Sequence, residues 1–91
     1  MSGTTNITTS TQVSPIGIPA RLFNTHIFAG ATSTVKIFNG GTNGIQFFQY
    51  QINSNRAQDA NYGYHGQLFP NGIYVTTDSG TLFVTLSHER E

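Results

Sequence analysis

The stretch QLFPNGIYVTTDSGTLFVTLS, residues 67–87, decides the fold class. It holds two turn signals. In Pro70-Asn71-Gly72 the proline presets φ and the glycine accepts a positive φ. In Asp78-Ser79-Gly80 an acceptor side chain comes first and a glycine last. Residues 73–77 and 81–86 alternate in polarity and are rich in β-branched and aromatic side chains, the pattern of strands. An antiparallel β-hairpin near the C-terminus is predicted. Leu82, Val84 and Leu86 share one of its faces, and Phe83 and Thr85 the other, because strand side chains alternate.

The same punctuation runs back through the chain. Pro15-Ile16-Gly17-Ile18-Pro19 reads as extended, since each proline biases its predecessor away from the helical region. Residues 20–30 read as a strand with an interruption: Leu22 and Ile27 have opposite parity, which points to a bulge at Asn24-Thr25-His26. Gly30 to Ser33 is a turn, and residues 34–38 are a short strand closed by Asn39-Gly40-Gly41. Asn43-Gly44 is a further turn signal, and residues 45–52 are expected as the longest strand. Residues 53–61 (NSNRAQDAN) are the most polar loop, with room for one helical turn at 54–60. Residues 62–69 form another strand. No segment carries an apolar stripe of helical period. Six or seven short strands between Gly, Asn and Pro turns predict an all-β fold, a small antiparallel β-sandwich or jelly-roll-like barrel.

Residues 1–15 differ from the rest. Eight of the fifteen are Ser or Thr, and apolar side chains are too few to offset the entropy of ordering. Two readings are open: a disordered terminus, or an extended N-terminal arm that docks on a neighbouring subunit through Ile7 and Val13. The expected organisation is thus an arm over 1–15 and a single β domain over 16–91. Asn6-Ile7-Thr8 fits a glycosylation acceptor, but no secretory signal accompanies it.

Composition excludes several function classes. The formal net charge is zero and only 9% of residues are charged, against about 25% in ordinary soluble domains. Arg21, Lys36, Arg56 and Arg90 are scattered, so no basic patch for nucleic acid forms. No apolar run reaches the ~20 residues that cross a bilayer. There is no cysteine, hence no disulfide framework and no thiolate metal site. His26, His65 and His88 lie far apart, and none has a carboxylate or second histidine at ligand spacing. Asp59 and Asp78 read as loop residues, and no nucleophile motif is present. No catalytic, metal or cofactor residue is expected, and the chain reads as a non-enzyme. An uncharged surface suits a subunit fixed in an assembly better than a free monomer, which keeps its net charge away from zero.

Adjacent apolar pairs recur: Leu22-Phe23, Ile27-Phe28, Ile37-Phe38, Phe47-Phe48, Leu68-Phe69, Ile73-Tyr74 and Leu82-Phe83. Strand neighbours point to opposite faces, so each pair offers bulk to both sides of its sheet. A two-layer sandwich needs a polar outer face. Some of these side chains must therefore sit at strand ends, stay exposed or be covered by another subunit. Phe47, Phe48, Tyr62, Tyr64 and Phe83 are the candidates for inner or intersubunit packing.

Leu68-Phe69-Pro70-Asn71-Gly72-Ile73-Tyr74-Val75, followed by Asp78-Ser79-Gly80, resembles the small virion-associated proteins of tailed bacteriophages, as do the Gly/Thr/Ser segments around Val35 and Asn39. The resemblance covers roughly residues 20–87 and carries over no functional residue. It implies a virion component assembled in the host cytoplasm, a capsid decoration (cement) protein. Such a subunit forms a homo-oligomer, for example a trimer, and bridges major capsid or other virion proteins, with no direct nucleic-acid or membrane partner. Two alternatives share the pattern. One is a receptor- or glycan-binding module of a tail or spike, in which Tyr62, Tyr64 and Tyr74 stack on sugars. The other is a tail or neck adaptor.

Overall fold

The computed structural model describes the backbone of residues 2–77 and 82–90 and the side chains of residues 6–77, 85, 86 and 88. Among the described residues nine strands follow in order: β1 (Ser2–Ile7), β2 (Thr11–Ser14), β3 (Ala20–Ala29), β4 (Ser33–Asn39), β5 (Ile45–Ile52), β6 (Arg56–Asn61), β7 (Gln67–Phe69), β8 (Ile73–Thr77) and β9 (Leu82–Arg90). The described residues contain no helix. One sheet runs β1-β9-β3-β6, with β7 pairing the start of β3; the other runs β2-β8-β4-β5. Every pairing is antiparallel. The protein is an all-β, jelly-roll-like sandwich.

The core lies between the sheets. Ile7, Ala20, Leu22, Ile27, Ala29, Phe69 and Leu86 come from the first sheet, and Val35, Ile37, Ile52, Ile73 and Val75 from the second. Each such Ile, Leu or Phe contributes about 1.5–3 kcal/mol by leaving water. The buried polar residues are satisfied: Ser33 Oγ donates to the Ala31 carbonyl at 2.8 Å, and Thr25 Oγ1 lies 3.4 Å from the Tyr62 hydroxyl.

Two bulges decide which aromatics face the core. The β3–β9 register shifts between Leu22 and Asn24. This switches the buried residues of β3 from Ala20 and Leu22 to Thr25, Ile27 and Ala29. The bulge required by the parity of Leu22 and Ile27 is present, but at Phe23 rather than at Asn24-Thr25-His26, which pair regularly with β9. The β4–β5 register shifts between Ile37 and Phe38, which pair with Phe48 and Gln46 and leave Phe47 as the extra residue. The result is that Phe47 and Phe48 turn toward the same neighbour: their ring centroids lie 4.9 and 6.2 Å from that of Phe69. The bulge therefore removes one need for an outer cover. Phe38 and Tyr74, an outward cross-strand pair on the second sheet, cover each other instead, with centroids 6.2 Å apart.

Several expectations change. The strands at 73–77 and 82–90 do not form a hairpin. β8 lies between β2 and β4, whereas β9 lies between β1 and β3 in the opposite sheet. Local alternation sets which faces are apolar but not which sheet a strand enters. The turn at 78–80 falls outside the described residues. Residues 56–61 form edge strand β6 rather than a loop, because β3 supplies six pairing partners that override the weak strand propensity of RAQDAN. Only residues 67–69 of the strand expected at 62–69 are extended. Among the described residues the longest strand is β3, not β5. Residues 1–15, expected as an arm, contribute β1 to the first sheet and β2 to the second. Backbone pairing with β9 and β8, together with burial of Ile7, supplies the stabilisation that the side-chain composition of 1–15 does not suggest.

The Pro70-Asn71-Gly72 turn is close to the β2–β3 connection. Gly72 has φ of 101°, and a Cβ there would come within 2.4 Å of the Pro15 carbonyl oxygen. Both backbone strain and the clash oppose any larger residue. Gly72→Ala is expected to cost at least about 2 kcal/mol and to lower the melting temperature by at least about 8 °C. A thermal melt followed by circular dichroism checks this; an unchanged midpoint would refute the steric account.

Candidate interaction surface

Three connections meet at one end of the sandwich: residues 15–19, 40–44 and 70–72. None of their residues is charged. They are tied together by backbone geometry. The Gly17 amide donates to the Asn71 carbonyl and the Gly40 amide to the Gly72 carbonyl, both at 2.9 Å. The Asn71 amide donates to Asn39 Oδ1 at 2.9 Å. Gln12 Nε2, from β2, reaches the carbonyls of Ser14 and Gly40 at 2.7 Å and of Ile73 at 3.0 Å. One amide group thereby joins the ends of β2, β4 and β8.

Two isoleucines stand on this platform in solvent, Ile16 at 67% exposure and Ile45 at 71%. Ile16 lies over Gly41, where a Cβ would come within 2.7 Å of its Cδ1. Together with the loop backbone it lines a shallow hollow of about 320 Å³. A rigid, uncharged end with protruding apolar side chains is pre-organised for contact, since little ordering entropy remains to be lost on binding. The sequence reads 15–19 as an extended segment and assigns it no contact. The signal that could have found Ile16 was its position between two prolines and beside a glycine, where no strand could bury it.

The other candidate residues fall into separate places. Phe47, Phe48 and Tyr62 come together on the side where β5 and β6 are joined. The Phe48 and Tyr62 rings lie 4.7 Å apart, and the Tyr50 and Tyr62 hydroxyls are 2.6 Å apart. Burial pushes the Tyr62 phenol well above its ordinary pKa, so the group stays neutral and bridges the two sheets through Thr25 and Tyr50. All three candidates are half-buried against the core. Ile7, expected as an anchor on a neighbour, is 6% exposed within this chain's own core, and Val13 packs partly against it. The cause is the pairing of β1 and β2 with the two sheets. Tyr64 is 92% exposed. The side chain of Phe83 lies outside the described residues. Tyr74 is half-buried on the outer face of the second sheet.

His26 has a carboxylate neighbour after all. Asp59 is its cross-strand partner in β6, and His26 Nδ1 meets Asp59 Oδ1 on the outer face of the first sheet. The pair was missed because residue 59 was read as loop. It lines a second shallow hollow with Asn24 and Asn61. Both side chains are open to water, where an isolated ion pair contributes little stability. Among the described residues no three His, Asp or Glu side chains gather in the manner of a metal site. His88 is partly covered at the opposite end of β9, and burial holds its imidazole below the ordinary pKa.

No protein-family model and no curated protein matches the chain. Solved structures resemble it in shape. The chain in the structure of the disulfide-linked pili of Bacillus endospore appendages is 8% identical, with 99% of this chain and 87% of that one covered and a TM-score of 0.51. At that identity the likeness is one of fold. Looser likenesses are found to the VLP of extra small virus from the giant freshwater prawn Macrobrachium rosenbergii and to a de novo designed double-stranded β-helix. The first is 12% identical over 97% of this chain and 77% of that one, with a TM-score of 0.45. The second is 11% identical over 100% and 99%, with a TM-score of 0.38.

Proposed function

We propose that the chain is a non-enzymatic structural subunit of a tailed-phage particle, a capsid decoration protein that self-associates and bridges major capsid subunits. The observation that carries this reading is the pairing of a sparsely charged surface with exposed large apolar side chains. Ile16, Phe28, Ile45, Tyr64 and Leu68 all face solvent, in a chain of zero net charge. Burying an isoleucine is favourable by about 1.5–3 kcal/mol, so Ile16 and Ile45 together supply a useful part of a contact with a neighbouring subunit. The phage assignment rests on the residue pattern around Leu68 to Val75. The shared fold of a pilus subunit is in keeping with a part built into a larger assembly.

A receptor- or glycan-binding role is the second reading. The hollow beside His26 and Asp59 favours it, with Asn24 and Asn61 offering amides to sugar hydroxyls.

The test is solution mass by light scattering, with and without empty phage heads. Assembly and head binding are expected for the native chain. The double variant Ile16→Asp/Ile45→Asp should weaken head binding at least about 100-fold. Its melting temperature should stay near the native value, because surface changes of this kind usually fall within about 0.5 kcal/mol. A native monomer indifferent to heads would sink the decoration reading and favour the glycan module.

A further inference from the structure

Each sheet of the sandwich ends in two open edges, whose free N–H and C=O groups can pair with another chain. The edges are guarded unequally. β6 carries Arg56 and Asp59, both exposed, and β7, beside it on β3, is three residues long and runs into Pro70. β2 is four residues long and runs into Pro15. β1 reads SGTTNI, with a glycine and no apolar side chain before Ile7, so a partner strand would gain little there beyond backbone bonds. β5 is different: eight residues, IQFFQYQI, with no charge and no proline.

The regular part of β5, beyond the bulge at Phe47, reads FQYQI. It is nearly palindromic about Tyr50. Two antiparallel copies related by a two-fold axis through Tyr50 place residue 50−k opposite residue 50+k. Gln49 then faces Gln51 of the second copy, and Phe48 faces Ile52. On the outer face the exposed glutamines meet amide to amide, and amide ladders form hydrogen bonds readily. On the inner face Phe48, Tyr50 and Ile52, already turned toward the core, extend the apolar layer across the junction. No like charges are brought together.

We propose that β5 is the self-association edge, pairing antiparallel with β5 of a second copy to join two four-stranded sheets into one of eight strands. This rests on the self-assembling reading above and names the partner and register. An isologous contact of this type requires a dimer or a multiple of one.

The test uses the full chain. Native protein should run in light scattering at twice the monomer mass or an even multiple. Gln49→Lys/Gln51→Lys places lysines opposite each other and should reduce the mass to that of a monomer, as should Gln49→Glu/Gln51→Glu. Mixing the two charge variants should restore the dimer. As a second measurement, Gln49→Cys mixed with Gln51→Cys should form disulfide-linked heterodimers under mild oxidation, while either alone should not cross-link. Directly opposite Cβ atoms lie about 4.5–5.5 Å apart. A native trimer, a lysine variant that keeps the native mass, or absence of the mixed disulfide overturns the proposal and leaves self-assembly itself standing. A native monomer overturns both.

Discussion

Deleting residues 1–15 is expected to leave a chain that no longer unfolds cooperatively. The deletion removes β1, which pairs with β9 over six residues, and β2, which pairs with β8. It also removes Ile7 from the core, the partly buried Val13 and the Gln12 amide that joins three strand ends. Loss of Ile7 alone is worth about 1.5–3 kcal/mol. A domain of this size has roughly 5–15 kcal/mol in total, and two strand ladders are lost besides. Both β9 and β8 would become open edges, a recognised aggregation hazard. A calorimetric or circular-dichroism melt should show no sharp transition. If the truncated chain melted like the native one, β1 and β2 would be dispensable additions, and the segment would be free to dock on a neighbour.

Phe69→Ala should be the most damaging single substitution away from the glycines. Phe69 is fully buried at the end of β7. Its ring is the common neighbour of Phe47 and Phe48. Truncation removes the apolar area and leaves a cavity bounded by aromatic rings that cannot all collapse into it. The expected cost is about 3–5 kcal/mol, or a fall of at least about 12 °C in melting temperature. Phe69→Leu should recover much of this, since a second apolar side chain refills part of the space. Equal losses for both variants would mean that the aromatic contacts, rather than volume, hold this end of the core.

The class of fold was legible in residues 67–87 and in the turns spaced along the chain, because alternation and Gly/Asn/Pro punctuation are local properties. The bulge near Phe23 was legible too, since Leu22 and Ile27 cannot both face inward along an unbroken strand. The second bulge left no such mark: Phe47-Phe48 reads as any adjacent apolar pair until β4 is placed beside it. Sheet membership was not legible. Nothing in Ile73–Thr77 says that its neighbours are β2 and β4 rather than β9, because pairing is a property of two strands. Arg56–Asn61 was hidden for the same reason, being held by β3 rather than by its own propensity. The exposure of Ile16 and Ile45 was not legible, because it depends on where the loops end up.

The pairing of Ser2 with Glu89 and of Ile7 with Val84 has a kinetic consequence. β1 has no partner until β9 has emerged, so the β1–β9–β3 sheet closes only after β9 is made. With pairings this distant along the chain, folding should be slow, in the millisecond-to-second range common to non-local β topologies. The unfinished chain meanwhile presents β3 without β9, and a neighbouring nascent copy can supply the missing strand. Expression conditions that lower the concentration of nascent chains should therefore raise the yield of correctly closed protein more than any change at its surface.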